Sequence, residues 1–269
     1  MPIAAHDGVT IGYDVVGEGR PIVLLHGWAT DRSWWTEFGF VDALVQDHQV
    51  ITVDLRGHGR SSAPHGREAY RGEEQVSDLL AVADAVGVDR FAVWGLSLGG
   101  WLGWFAALTA PERVQALVTT GQWDLAPLDE AEGVDEEPLV AILRRGDMAS
   151  AVALVQEEAA AAASGGFVFP PALLAVIGRS DPIALADCLE EHGSSGIADF
   201  AAVAAPTLLI SGELEDPDDQ AADVAARLQH GEHLWLPQLG HAGAGAASEL
   251  TVPAVRSFLD RWMAPNSTG

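Results

Sequence analysis

Short apolar runs alternate with stretches of helical periodicity over the first 120 residues of the chain. Continuous apolar runs of this length are typical of strands that are buried on both faces of a parallel sheet. Between them, apolar positions recur three and four residues apart, as in a helix with one buried face. The predicted strands are residues 9–17, 21–25, 49–54, 90–94 and 114–119, and the predicted helices are residues 33–46, 73–86 and 98–109. This alternation predicts a mostly parallel, doubly wound α/β sheet with helices on both faces.

The alternation stops near residue 122 and resumes near residue 204. Between these points only helical patterns are found, over residues 137–145, 148–164, 171–179 and 181–191. Further strands are then predicted over residues 206–211 and 232–236, and further helices over residues 220–228 and 248–262. We therefore expect an α/β core formed by residues 1–121 and 204–269, with a helical cap over residues 122–203. Because ligands bind at the carboxyl ends of the strands in open α/β sheets, the cap is expected to cover that edge.

The apolar run that ends at residue 94 leads into Gly95-Leu96-Ser97-Leu98-Gly99, which matches the pattern G-x-S-x-G. In this pattern a sharp turn between a strand and a helix presents the central serine as a nucleophile. The two glycines are needed because strand and helix approach each other closely on either side of the turn. Ser97 would then stand at the N-terminus of a helix, where free N–H groups stabilise a developing negative charge. An ordinary turn would have the same sequence, so the rest of the chain has to decide.

The chain is strongly acidic, and this narrows the classes of partner. Its 269 residues include 14 basic and 39 acidic side chains, which give a formal net charge of -25. Such a charge argues against nucleic acids and anionic membranes. No apolar stretch reaches the roughly 18 residues of a membrane span and no signal-peptide pattern is found, so a soluble cytoplasmic protein is expected. With a single cysteine, Cys188, and no Cys/His cluster, we expect no disulfide and no metal site.

Several motifs occur in the order and spacing of a known family. They are His26-Gly27-Trp28, Asp54-Leu55-Arg56-Gly57-His58-Gly59-Arg60-Ser61, the motif around Ser97, Pro111-Glu112-Arg113-Val114, and Leu239-Gly240-His241. These motifs extend over the chain outside residues 122–203, and on them the chain resembles capped, single-domain proteins of the α/β-hydrolase fold. The resemblance implies a Ser-His-acid triad, an oxyanion hole made of backbone N–H groups, and no cofactor.

The nine histidines include one strong candidate for the base that a serine nucleophile requires. His241 follows the last predicted strand in a glycine-bounded loop, on the same edge of the sheet as Ser97, and the resemblance makes it the catalytic histidine. The resemblance gives His26 and His58 structural or oxyanion-loop roles. His192 and the remaining histidines are interpreted as surface or strand-end positions.

The acid of the triad has three candidates. In the family it usually stands three residues after a glycine that closes the penultimate strand, and counting from Gly212 gives Glu215. Asp216 is adjacent to it, and Asp124 follows the strand after Ser97, so both remain alternatives. The acid has to hold the histidine in one tautomer and stabilise the imidazolium.

The implied reaction is hydrolysis of a small carboxylic ester or lactone through an acyl-enzyme intermediate. The resemblance places the oxyanion-hole donors at the backbone N–H groups of Trp28 and Leu98. Serine at position 97 excludes the dehalogenase and epoxide hydrolase chemistries that use a carboxylate nucleophile. Two alternatives stay open: hydrolysis of a carbon–carbon bond in a vinylogous diketone, and a binding protein of the same fold without turnover. The tryptophans near the expected site favour a small-molecule substrate with an apolar or aromatic group; they are Trp28, Trp34, Trp35, Trp94, Trp101, Trp104 and Trp123.

Overall fold

The computed structural model describes residues 2–123, 138–161, 164–194 and 200–263. The strands are β1 (Ile3–His6), β2 (Val9–Val16), β3 (Arg20–Leu25), β4 (His48–Val53), β5 (Phe91–Leu96), β6 (Val114–Thr120), β7 (Thr207–Gly212) and β8 (Gly231–Leu236). They form one sheet in the order β1-β2-β4-β3-β5-β6-β7-β8. β2 is antiparallel to both of its neighbours, and β3 to β8 pair in parallel. The predicted mostly parallel α/β sheet is confirmed.

The strand order reverses direction at β3, and this creates a place for a ligand. From β3 the chain passes to β4 on one side and then returns to β5 on the other side. The connections that leave β3 and β5 therefore diverge, which opens a crevice at the carboxyl ends of these two strands. The loop after β3 carries Trp28, and the turn after β5 carries Ser97.

The helices are α1 (Ser33–Glu37), α2 (Phe40–Leu44), α3 (Gly72–Val86), α4 (Leu98–Thr109), α5 (Pro138–Arg144), α6 (Met148–Ala160), α7 (Pro171–Arg179), α8 (Pro182–Ser194), α9 (Gln220–Arg227), α10 (His241–Ala246) and α11 (Ser248–Trp262). The prediction of one continuous helix over residues 33–46 is wrong, because Gly39, with a φ of 77°, separates α1 from α2. His241 was predicted to lie in a glycine-bounded loop after the last strand, but it begins the short helix α10. Within the described ranges, no helix combines the length and apolar character needed to cross a bilayer.

The sheet separates two apolar layers, and each central strand contributes to both. In β5, Phe91 and Val93 pack into the layer that contains α3 and α4, whereas Ala92 and Trp94 pack into the layer that contains α2 and α11. Successive residues of a strand point to opposite faces, so a strand covered on both sides is apolar throughout. This explains why these segments are continuous apolar runs in the sequence.

In the described part of the chain between β6 and β7, where the helical insertion was predicted, lie the α-helices α5 to α8. α5 packs against α8, and α6 packs against α7. A small apolar cluster joins Leu143 of α5, Ile177 of α7 and Leu185 of α8 to Ala29 in the loop after β3. The indole N–H of Trp28 also donates to the carbonyl of Leu185, at 3.0 Å. The insertion is thus attached to the loop that follows β3.

A second attachment lies at the segment that follows α6. A Cβ atom added to Gly240 would lie 2.2 Å from the carbonyl oxygen of Ser164, and one added to Gly165 would lie 3.0 Å from the backbone nitrogen of Gly240. The two backbones are therefore too close to accommodate a side chain at Gly240. Since Gly240 directly precedes His241, the insertion touches the chain immediately before this histidine.

Candidate active site

Ser97 occupies the sharp turn between β5 and α4. Its φ of 52° and ψ of -116° are rarely adopted by residues other than glycine. A Cβ atom on Gly95 would lie 2.1 Å from the carbonyl oxygen of Gly99, and one on Gly99 would lie 2.1 Å from that of Leu25. Both positions therefore require glycine. The N–H of Ser97 donates to the carbonyl of Thr120 at 2.8 Å, which fixes the turn against β6.

His241 and Glu215 are hydrogen-bonded to each other. Nδ1 of His241 lies 2.6 Å from Oε2 of Glu215, which follows β7. An ionised carboxylate only accepts hydrogen bonds, so the ring donates from Nδ1 and keeps a lone pair on Nε2. The other carboxylate oxygen of Glu215 accepts the N–H of Gly212 at 2.9 Å, which orients the carboxylate. The side chain of Glu215 is 11% exposed and that of His241 is 48% exposed, so the ring is accessible while its partner is shielded.

Gly121, which the sequence analysis did not single out, lies directly against this pair. It follows β6 and has a φ of 66°. A Cβ atom on Gly121 would lie 2.7 Å from both Nδ1 and Cε1 of His241 and 3.4 Å from Oε2 of Glu215. The imidazole therefore occupies the space that any side chain at position 121 would need. The only sequence feature that could have pointed to Gly121 is that it is a glycine directly after a buried strand.

Asp216, the second candidate for the acid, is directed elsewhere. Its carboxylate is buried and accepts the backbone N–H groups of Gln220 at 2.7 Å and Ala221 at 3.0 Å. These are the first two residues of α9, so Asp216 caps the N-terminus of that helix. The structure brings Glu215, not Asp216, into contact with the ring of His241. Asp124, the third candidate, lies outside the described residues.

The peptide between Gly27 and Trp28 is held by three hydrogen bonds to a single oxygen. The carbonyl oxygen of Gly27 accepts Nδ1–H of His26 at 2.8 Å, the hydroxyl of Thr30 at 2.8 Å and the N–H of Thr30 at 3.3 Å. Nε2 of His26 accepts the N–H of Leu55 at 3.0 Å, so both ring nitrogens are engaged with the ring neutral. Burial lowers the pKa of His26 to about 4, in agreement with this role. The resemblance implied a structural or oxyanion-loop role for His26, whereas no motif in the sequence pointed to Thr30.

These three hydrogen bonds fix the orientation of the peptide between Gly27 and Trp28, and therefore the direction of the N–H of Trp28. In a trans peptide the N–H and the preceding C=O point in opposite directions. Because the carbonyl of Gly27 points towards His26 and Thr30, the N–H of Trp28 points away from them. A Cβ atom on Gly27 would lie 3.6 Å from Cβ of Ser97, so this loop is in contact with the serine turn. Leu98 begins α4, and the first N–H groups of a helix have no acceptor within the helix.

A cavity of about 360 Å³ brings these parts together. Ser97 and His241 both line it, as do Trp28 and Leu98. Apolar side chains form most of the remaining wall; they include Trp34, Leu96, Leu139, Val155, Phe169 and Leu189. Among the described residues, the other polar ones in the lining are Thr30, Glu158, Ser164 and His192. α5, α6 and α8 all contribute, so the insertion supplies part of the wall.

The interpretation of His192 as a surface or strand-end residue is wrong. His192 lies on α8, lines the cavity and makes an edge contact with Trp101, with 5.3 Å between the ring centroids. Burial, together with the positive charge that His241 can carry, lowers the pKa of His192 to about 4. The ring is therefore neutral near pH 7. The sequence could not show this position of His192, because it depends on how α8 packs against the core.

Most of the tryptophans are not at the cavity. Of the seven tryptophans considered in the sequence analysis, all of which the structure describes, Trp28 and Trp34 line the cavity. The others pack in or against the apolar layers; they are Trp35, Trp94, Trp101, Trp104 and Trp123. Trp34 and Phe169 make an edge contact in the cavity wall, with ring centroids 6.0 Å apart. The number of tryptophans in the sequence therefore overstated the aromatic content of the site.

One cluster in the described ranges has the side chains of a metal site. Asp216, Asp219 and His233 can each place a ligand atom within 4.8 Å of the others. These atoms already have partners in the protein: Asp216 caps α9, and His233 contacts Ser211 at 2.8 Å and Asp219 at 3.2 Å. We therefore assign the cluster a structural role at the start of α9.

The strand order, the reversal at β3 and the turn at Ser97 define an open α/β protein with its ligand crevice at the carboxyl edge of the sheet. Within this class, the chain belongs to the alpha/beta hydrolase fold family, whose model matches residues 20–169, more than half of its length.

Three proteins illustrate the range of similarity. The chain is 38% identical over 120 residues to a putative 2-succinyl-6-hydroxy-2,4-cyclohexadiene-1-carboxylate synthase of Bacillus subtilis, covering 43% of this chain and 42% of that protein. It is 41% identical over 103 residues to a pimeloyl-(acyl-carrier protein) methyl ester esterase of Aliivibrio salmonicida, covering 38% and 36%. The chain thus spans less than half the length of these curated relatives. The enol-lactonase from Burkholderia xenovorans superimposes with a TM-score of 0.80 at 24% identity, over 96% of this chain and 100% of that chain, which shows the shared fold.

Proposed function

We propose that this chain is a serine hydrolase that cleaves a small carboxylic ester or a lactone through an acyl-enzyme intermediate. Ser97 is the nucleophile, His241 is the general base and acid, and Glu215 is the carboxylate partner of the histidine. The observation that carries the proposal is the 2.6 Å contact between His241 and Glu215, at a cavity that Ser97 also lines. A serine hydroxyl needs such a base to act as a nucleophile near neutral pH.

In the acylation step, each residue has one task. Oγ of Ser97 attacks the carbonyl carbon of the substrate while Nε2 of His241 accepts the hydroxyl proton, and Glu215 stabilises the resulting imidazolium. The carbonyl oxygen becomes an oxyanion, which the N–H groups of Trp28 and Leu98 stabilise through hydrogen bonds. The bond to the alcohol oxygen then breaks, and that oxygen takes the proton from His241 as it leaves. The acyl group remains bound to Ser97 as an ester.

Deacylation repeats these steps with water as the nucleophile. Nε2 of His241 accepts a proton from the water as its oxygen attacks the acyl carbon. The N–H groups of Trp28 and Leu98 again stabilise the oxyanion. When the bond to Oγ of Ser97 breaks, the proton returns from His241 to the serine, and the carboxylic acid is released.

We propose further that residues 122–203 act as a cap on a core of residues 1–121 and 204–269. Lining residues from three insertion helices support this role: Leu139 from α5, Val155 from α6 and Leu189 from α8. A cavity of about 360 Å³ suits a small molecule. Its largely apolar wall, with the rings of Trp34 and Phe169, favours a substrate that carries an apolar or aromatic group.

A fluorophosphonate probe tests the nucleophile, because it reacts with an activated serine. We expect the probe to label the wild-type protein and to leave Ser97→Ala unlabelled. Ser164→Ala is the matched control, since Ser164 lines the same cavity and has no catalytic role in the proposal. Hydrolysis of p-nitrophenyl esters and of lactones is measured with the same three proteins. Equal labelling of the wild type and Ser97→Ala would remove Ser97 from the mechanism and overturn the proposal.

A further inference from the structure

The cavity around Ser97 has an unusual charge composition. Among the residues that line it in the described part of the chain, there is no arginine or lysine. The residues outside the described ranges include no arginine or lysine, because all 14 basic residues of the chain are arginines and all lie within the described ranges. The cavity wall is therefore built without a permanent positive charge.

Two arginines at the ends of insertion helices are paired with buried carboxylates that do not line the cavity. Arg144, at the end of α5, lies 2.7 Å from the buried carboxylates of both Asp187 and Glu190. Arg179, at the end of α7, lies 3.4 Å from the buried carboxylate of Asp31. A guanidinium held in this way is neutralised locally and cannot swing to a ligand without leaving a buried carboxylate unpaired.

His192 does not replace the missing cation. It is the histidine that the insertion contributes to the wall, and near pH 7 its ring is neutral because burial and the nearby His241 disfavour the charged form. A neutral imidazole carries one N–H donor and one acceptor, so it suits an uncharged polar group. It carries no net charge that would compensate an anion.

Glu158 adds a negative charge to the same wall. It lies on α6, lines the cavity and is exposed to solvent. No arginine or histidine of the described residues forms an ion pair with it. The whole chain has a formal net charge of -25, so the long-range field also repels anions.

We propose that the cavity accepts uncharged acyl substrates and rejects substrates that carry a carboxylate, with Glu158 as a specificity-determining residue. This inference rests on the proposed function. A carboxylate that entered the cavity would lose water without gaining a cationic partner, and it would approach Glu158. An amide or a hydroxyl of the same size would lose less hydration and could hydrogen-bond to His192 or Thr30.

The test compares two esters of the same shape and different charge. They are the p-nitrophenyl half ester of adipic acid, which ends in a carboxylate, and its amide counterpart, which ends in a carboxamide. Both are assayed at pH 7 and low ionic strength, with Ser97→Ala as the blank. We expect kcat/KM of the wild type to be at least about tenfold higher for the carboxamide. Added salt should narrow this ratio, because the charge of Glu158 is exposed to solvent.

Two variants identify the residue that contributes to the discrimination. Glu158→Gln removes the charge and keeps the shape, and it should lower the ratio by about threefold through the carboxylate ester alone. Glu157→Gln is the control, because Glu157 is exposed on the same helix and does not line the cavity. Equal kcat/KM for the two esters in the wild type overturns the inference. If Ser97→Ala is inactive in the same experiment, the proposed hydrolase function still stands.

Discussion

Replacement of Gly121 by alanine tests the position of the histidine without touching a group that takes part in the proposed chemistry. The new Cβ would lie 2.7 Å from Nδ1 and Cε1 of His241. Non-bonded carbon atoms prefer about 3.5–4.0 Å, so the ring has to withdraw by about 0.8 Å or more. A displacement of this size at a catalytic group costs roughly a hundredfold in rate. We therefore expect kcat/KM for an ester substrate to fall about a hundredfold in Gly121→Ala.

The substitution also strains the backbone, because Gly121 has a φ of 66°. An L-residue in this region costs about 1–2 kcal/mol, and this cost has to be separated from the effect on the ring. Gly146→Ala is the matched control, since Gly146 has a φ of 74° and a Cβ there would meet no atom within 4 Å. Both variants should melt a few degrees below the wild type, at about 2–4 °C per kcal/mol, but only Gly121→Ala should lose activity. Activity of Gly121→Ala within threefold of Gly146→Ala would refute the reasoning.

Three further predictions follow from contacts in the structure. Glu215→Gln should lower kcat/KM at least about a hundredfold with little change in melting temperature. Asp216→Asn should keep its activity and lose about 1 kcal/mol of stability, because the cap of α9 is weakened. The opposite pattern would make Asp216 the acid. Thr30→Val removes the hydroxyl that donates to the carbonyl of Gly27. We expect kcat and the rate of fluorophosphonate labelling each to fall about tenfold, with KM little changed. An unchanged kcat would show that this hydrogen bond does not position the N–H of Trp28. Burial lowers the pKa of His26 from 6.5 to about 4 and that of His58 to about 3, so below pH 6.5 the unfolded chain binds protons that the folded chain does not. Each ring should remove about 1 kcal/mol from the free energy of unfolding between pH 7 and pH 5.5, which a lower midpoint of urea unfolding would report and an unchanged midpoint would contradict.

The parts of the site that depend on backbone geometry could be predicted from the sequence. Gly95 and Gly99 are required by contacts within two residues of Ser97, so a local pattern is enough to find them. The parallel sheet could also be predicted, because a strand covered on both faces is apolar throughout. The break at Gly39 was missed because the apolar periodicity continues across it, and a single glycine inside a helical pattern does not always end the helix.

Residues brought together by tertiary packing could not be predicted in this way. Glu215 and Asp216 are neighbours with similar chemistry, and only the direction of each side chain from the turn after β7 distinguishes the one on His241 from the one on α9. Gly121 lies against His241, which is distant in sequence. Thr30 contacts Gly27 within a loop whose conformation no local pattern defines. His192 looked like any other polar residue on a helix, because its contact with the cavity depends on how α8 packs against the core.

The attachments of the insertion constrain how this architecture can be re-engineered. The indole of Trp28 donates to the carbonyl of Leu185 on α8, and Gly240 lies against the carbonyl of Ser164, so both attachments are next to residues of the proposed site. A chimaera that carries the corresponding region of a homologue would have to place a backbone carbonyl where those of Leu185 and Ser164 lie. Otherwise the transplanted region would disturb the indole of Trp28 and the residue just before His241. Exchange of single side chains on α5, α6 and α8 is therefore the safer way to change the shape of the cavity.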